Sequence, residues 1–209
     1  LSFNQGTEVN VTLSDSSTQS LNLMTIGASN VSGFVGSGFS SFKADGQPND
    51  EALGLYLSNV NLGLALLRGT GASDPSYYGL QATAGTVGFQ GLSGNIELSG
   101  QDLNVAVNGG STATVVNFSA STDWDGAGSA TAVSTGLVID GKTLSASTQQ
   151  LQASGTVTVK IDSYVYLKGT LSFNQGTEVN VTLSDSSTQS LNLMTIGASN
   201  VSGFVGSGF

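Results

Sequence analysis

The 209 residues carry 29 glycines, two prolines, no cysteine and no histidine, and fourteen acidic against five basic residues set the net charge at −9. These numbers exclude disulfides, thiolate metal sites and a cysteine nucleophile, and they remove the commonest general base and zinc ligand. So few basic residues cannot form the clusters that phosphate binding needs, so nucleic acid is not an expected partner, and no apolar run approaches the ~20 residues of a membrane-spanning helix.

Apolar residues, 38% of the chain, alternate with Ser, Thr and Asn along most of its length. That composition suits pleated sheets joined by tight turns and fits neither a charged disordered chain nor a Gly/Ser linker. The first strand signal runs from Glu8 to Asp15, with Val9, Val11 and Leu13 on one face. Leu21 and Leu23, then Met24 and Ile26, predict a short strand with a phase slip, and Val31 to Phe39 a glycine-rich one. Leu53, Leu55 and Leu57 alternate in one parity and Val60, Leu62, Leu64 and Leu66 in the other, so a bulge or bend belongs at Ser58-Asn59. The run NLGLALL at 61–67 has the length of a short helix, but its flanks and Gly63 favour a strand.

Further strands are predicted over Tyr78 to Ala84 and Thr86 to Gln90. Ile96 and Leu98 give way to Leu103, Val105 and Val107 across a break at Gly100-Gln101-Asp102. Thr114 to Ser119, Gly136 to Asp140 and Leu151 to Gly155 follow. Asp45-Gly46, Asn108-Gly109-Gly110, Asp125-Gly126 and Asp140-Gly141 are hairpin-compatible turns. From Val157 to Phe173 the alternation is unbroken. The odd positions, Val157 to Phe173, predict a dry face and the even ones, Thr158 to Ser172, a wet face. At ~3.3 Å per residue that run is too long for one straight strand, so a bent strand or a pair of strands is expected, with Ser163 and Gly169 as the bend points.

Residues 1–39 recur letter for letter as residues 171–209, offset by 170 positions. A fixed period is the mark of a repeat architecture. The reading is one full repeat period, 1–170, followed by the opening of the next, 171–209. Because the long alternating run passes through Leu171, the equivalent of Leu1, the chain is expected to begin inside a strand, as a window onto a tandem array. The other reading is a first segment appended again so that its copy completes a sheet. One period holds twelve acids and five bases, a charge of −7 per repeat. Such an array repels itself, which stiffens it and favours divalent counterions. The expected fold is all-β, with ten to twelve strands per period in a large, mostly antiparallel sandwich or flattened barrel repeated in tandem. A β-solenoid is the alternative, although no internal period of 20–30 residues is present.

Candidate chemistry is sparse. Asp45, Asp50 and Glu51 in KADGQPNDEA, and Asp123 and Asp125 around Trp124 in STDWDGAGS, are acidic loop residues of the kind that bind calcium. Neither loop has a full set of EF-hand ligands, and acidic residues beside glycine are also ordinary turn residues. Asp123 and Asp125 as a carboxylate pair would suit a glycosidase, but nothing else catalytic accompanies them, and no serine has a histidine to activate it. No enzyme activity is expected. Trp124, Tyr77, Tyr78, Tyr164 and Tyr166 form a candidate aromatic surface for stacking on sugars. The competing reading is cross-strand pairing or contact with a neighbouring chain. Asn-x-Ser/Thr triplets such as those at Asn10, Asn30 and Asn117 carry little weight in a chain this rich in Ser and Thr.

The phrases LSNVNLGLALL, SYYGLQATAGTVGFQGL and SGTVTVKIDSYVYLKGTLSF, within residues 53–173, resemble modules of very large tandem-repeat bacterial surface or secreted proteins. The resemblance implies an extracellular or cell-surface location and a structural or adhesive role. The expected function is a structural repeat of an extracellular bacterial filament or giant surface protein, assembling end to end with neighbouring copies. The alternative is an adhesin or carbohydrate-binding module that meets surface glycans.

Overall fold

A computed structural model describes residues 1–71, 73–92, 95–126 and 136–208. The described residues form ten strands and no helix, so none is long and apolar enough to cross a membrane. In chain order the strands are β1 (Ser2–Thr12), β2 (Thr18–Ser37), β3 (Leu53–Arg68), β4 (Ser76–Gln90), β5 (Ile96–Gly110), β6 (Leu137–Ile139), β7 (Lys142–Leu144), β8 (Gln150–Ile161), β9 (Val165–Thr182) and β10 (Thr188–Val205). Eight of them make one antiparallel sheet in the order β1-β2-β3-β4-β5-β8-β9-β10, and β6 and β7 make a separate hairpin. The all-β, antiparallel expectation holds. The sheet stays open, with β1 and β10 as its edges, and closes into neither a barrel nor a solenoid.

The strands are fewer and longer than the alternation predicts, because several breaks in parity are irregularities inside strands. In β3 the buried residues are Gly54, Tyr56 and Ser58 before Asn59, and Gly63, Ala65 and Leu67 after it. Asn59 has φ 54°. A residue inserted in the left-handed region shifts the alternation by one, so even positions before it and odd positions after it stay on one face. Asn30 in β2, Asp102 in β5 and Asn200 in β10 have φ of 51°, 53° and 51°. The register places Val31 beside Val60, Ser58 beside Thr86 and Thr86 beside Gln101, so the irregularities run as a line across the sheet. Asn and Asp occupy the positions because their short polar side chains tolerate this conformation better than other L-residues. The Asn61 side chain secures the line, accepting from the Asn30 N–H at 2.9 Å and donating to the Asn59 carbonyl at 3.0 Å.

The run from Val157 to Phe173 resolves into two strands. β8 ends at Ile161, Asp162-Ser163-Tyr164 turns, and β9 begins at Val165. Ser163 lies in the turn between the two strands, and Gly169 lies within β9, opposite the irregularity of β10 between Ser199 and Ser202. The predicted dry face is not buried: Ile161, Leu167 and Leu171 are each more than two-fifths exposed, because among the described residues no second layer covers this part of the sheet. Asp140-Gly141 is a hairpin turn, with φ of 47° and 77°. Asn108-Gly109-Gly110 is the end of β5 instead, paired with Tyr77, Tyr78 and Gly79. Thr114 to Ser119 contributes a single bridge, Val116 with Leu13, and no strand.

The main core lies between β1–β4 and a cap made of the segment 112–126 and the β6–β7 hairpin. Val9, Val11, Leu13, Leu21, Leu23, Ala65, Leu67 and Tyr77 supply the sheet side; Val116, Phe118, Leu137, Ile139 and Leu144 supply the cap, with Trp124 packed against them. Three glycines give the cap its seat. A Cβ on Gly27 would stand 2.5 Å from Asp140 Cβ, and one on Gly63 would stand 3.0 Å from the Ile139 carbonyl oxygen. One on Gly79 would stand 2.5 Å from the Phe118 ring. Gly27 and Gly63 face each other across β2 and β3. Buried Asn108 ties the cap to β5, its amide donating to the carbonyls of Val116 (2.8 Å) and Thr148 (3.0 Å). A smaller cluster at the far end of the sheet stacks Phe34 on Phe39 and sets Phe39 edge-on to Phe42.

Candidate functional site

The duplicated segment makes the same hairpin twice, at opposite edges of the sheet. Phe3 faces Ile26 and Val9 faces Leu21 in the first copy; Phe173 faces Ile196 and Val179 faces Leu191 in the second. The turns match as well. The Asp15 carboxylate accepts from the Ser17 N–H at 2.9 Å and hydroxyl at 2.6 Å, and Asp185 accepts from Ser187 at the same distances. Each carboxyl is held below its ordinary value by the serine hydroxyl first and the serine N–H second. Phe209, the last residue of the duplication, lies outside the described residues.

The surroundings of the two hairpins differ. In the first copy Leu21 is fully buried and Leu23 is 7% exposed; their counterparts Leu191 and Leu193 are 39% and 49% exposed. The inner edge of β2 pairs with β3, whereas β10 is the free edge. The outer edge of the first strand divides in two. At residues 10–14 it meets the cap: Asn10 donates to Asp123 through its side-chain amide (3.2 Å), Thr12 N–H to the Ser121 hydroxyl (2.9 Å), and Ser14 N–H to the Val115 carbonyl (2.8 Å). In the second copy the earlier half is the paired one, with Leu151 beside Gln175 and Ser154 beside Ser172. Among the described residues no strand pairs with the outer edge at 180–184. Each copy therefore has the neighbours that the other lacks.

The candidate calcium residues do not converge, and no group of three acidic side chains able to hold a metal occurs among the described residues. Asp45 accepts from the Gln47 N–H at 3.0 Å, which closes its turn. Asp50 forms an ion pair with Lys43, and Glu51 is exposed. Asp123 is nearly buried against Asn10, and Asp125 is exposed at the end of the cap.

The candidate aromatic surface also divides. Tyr77 is buried, and Trp124 is partly buried against the core. Trp124 stacks on Phe118 with ring centres 5.5 Å apart, and Tyr77 is buried in the core with its hydroxyl donating to Gln19 at 3.1 Å. Tyr77 and Tyr78 point to opposite faces of β4, so only Tyr78 is exposed. Tyr164 is exposed in the β8–β9 turn, and Tyr166 is half-buried in β9 beside Lys160 and Phe204. On the sheet face away from the cap, Met24, Leu66, Arg68 and Tyr78 help line an open cavity of about 630 Å³.

Sequence reasoning missed the seat glycines Gly27, Gly63 and Gly79. The duplication was the available signal: Gly197 repeats Gly27, yet a Cβ there would meet only the Ser172 hydroxyl at 2.8 Å and nothing from a cap. Comparison of the chain with protein-family models, curated proteins and solved structures returns no match.

Proposed function

We propose that this chain is a structural repeat unit of an extracellular bacterial filament or giant surface protein, in which successive units share one continuous antiparallel sheet. The observation that carries this reading is the identical hairpin at both edges of an open sheet, buried at one edge and bare at the other. An exposed strand edge beside an exposed apolar face recruits further strands unless it is blocked. β10 contains no proline and no charged residue to block that edge, and its irregularity at Asn200 recurs at Asn30 of β2, which pairs with β3 all the same. The period charge of −7 opposes sideways clumping without touching that edge.

The test is sedimentation of a single 170-residue period against a three-period chain. End-to-end association of the single period, and greater stability per period in the longer chain, are expected. A single period that stays monomeric at high concentration and is as stable as a period within the array would make the units independent beads and remove the reading.

A second reading, a carbohydrate-binding module of an adhesin, draws on the open-face cavity, where Tyr78 supplies a stacking ring and Arg68 a charged donor. Loss of glycan-array binding on Tyr78→Ala would favour it over the structural role.

A further inference from the structure

Resting on the filament reading, we propose that units join by hairpin donation: β9–β10 of one chain takes, on a second copy, the place that β1–β2 occupies on β3 and the cap. The bare face of β9–β10 has a defined occupant because its twin already shows it. Val9, Val11, Leu21 and Leu23 are covered by Val116, Phe118, Leu137, Ile139 and Leu144, and the donor presents the same side chains as Val179, Val181, Leu191 and Leu193. The register follows from the first copy. Asn22 with Arg68, Ile26 with Leu64 and Gly27 with Gly63 become Asn192, Ile196 and Gly197 against Arg68, Leu64 and Gly63 of the second copy. Gly197 receives Ile139 and Asp140 of that copy, as Gly27 does at home. Asn180, Thr182 and Ser184 receive the cap segment, as Asn10, Thr12 and Ser14 do.

The donor and the resident hairpin have one sequence, so their intrinsic affinities for the seat are equal. The resident wins in an isolated chain only through its tether, that is, by effective concentration. Docking the donor also leaves the β8–β9 pairing in place, because that pairing uses residues up to Gln175 and the cap uses 180–184. The result is a continuous sheet in which each junction hairpin belongs to two chains, with the displaced β1–β2 left undocked. In a tandem array the same seat would be filled by the hairpin of the preceding unit with nothing displaced.

Trp124, the only tryptophan, packs on Phe118 inside the cap and reports whether the seat is filled. The experiment uses the full chain, unfolded in denaturant and refolded at low and high concentration, then followed by sedimentation and Trp124 emission. Refolding at high concentration is expected to give oligomers in steps of one chain, with Trp124 emission as blue as in the monomer. Leu191→Asp and Gly197→Ala alter only the donor. Each is expected to leave the monomer folded and to cut the exchanged fraction, by about a hundredfold for Leu191→Asp, because docking would bury an unpaired charge. Leu21→Ala weakens the resident hairpin and should lower the concentration at which oligomers form, and adding Leu191→Asp should abolish that gain. Oligomers that form equally well with Leu191→Asp or Gly197→Ala would overturn hairpin donation while leaving end-to-end assembly standing. Absence of concentration-dependent oligomers from the unmodified and Leu21→Ala chains alike would overturn it outright.

Discussion

The Phe118 ring lies directly over Gly79, in the space where any larger residue would place its Cβ, 2.5 Å from Cζ. A strand normally offers side chains to a packing layer; here β4 offers bare backbone, and the cap lies closer to the sheet for it. Gly79→Ala is expected to push the ring out of its stack on Trp124 and to cost about 1–3 kcal/mol, the range for overpacking. Phe118→Ala should cost more, about 3–5 kcal/mol, because it empties the centre of the core. Urea denaturation measures both. A Gly79→Ala chain as stable as its parent would show that the cap does not rest on this contact.

The line of left-handed residues gives a second expectation. Asn59, with φ 54°, is a position where a β-branched side chain is strained and glycine is free. Asn59→Val should destabilise the chain by about 1–3 kcal/mol, and Asn59→Gly should change it far less. Equal losses from the two would mean that the side chain's own contacts, and not the backbone angle, hold the residue in place.

Much of this architecture was legible in the chain, and the reason is the period-2 rule. The changes of parity at Ser58-Asn59 and at Gly100-Gln101-Asp102 fall on a residue that the structure places in the left-handed region or beside one, whereas the slip read between Leu23 and Met24 corresponds to an irregularity at Gly6 of the paired strand. What alternation cannot say is whether a strand ends at such a change or continues through it. That depends on whether the neighbouring strands make the same slip at the same level, as Asn30, Asn59 and Asp102 do. Nor can alternation tell a dry face from a face that is dry only when a neighbour is present. Leu167 and Leu171 follow the pattern of core residues and stand exposed. Trp124 and Tyr77 were unreadable for a related reason: both pack in or against the core beside a segment with little regular structure, whose placement depends on Gly79, distant from it in sequence.

The two titrating features act at opposite ends of the pH scale. Asp15 and Asp185 lie below the ordinary 3.8 in the folded chain, through the hydroxyls and N–H groups of Ser17 and Ser187. Their contribution to stability is therefore present above that value and is lost as pH falls through the lower folded one. Tyr56 lies above 10.0, first because of burial and then because of the Asp45 and Glu97 charges. Its contribution is present below pH 10 and is lost as pH rises through the folded value. Chemical denaturation across pH should show an acid limb that flattens in an Asp15→Asn, Asp185→Asn chain. It should also show an alkaline limb that flattens in Tyr56→Phe. Limbs unchanged by these substitutions would assign the pH dependence to other groups.

Hydrogen exchange can compare one sequence in two environments within one molecule. From Asn22 to Gly27, β2 has β1 on one side and β3 on the other, so amides pointing either way are bonded. From Asn192 to Gly197, β10 has β9 on one side only. In an antiparallel strand the N–H groups point to alternate sides. Every second amide of the second copy should therefore exchange freely, while its counterpart in the first copy is protected by about a hundredfold or more. The peptides have identical masses, so the measurement needs residue-resolved nuclear magnetic resonance. Raising the concentration under exchange-permitting conditions should then protect the free set in the second copy, as a second chain's β3 closes the edge. Uniform protection of both copies at high dilution would mean that the edge at β10 is already closed within a single chain, and the open sheet would have to be redrawn.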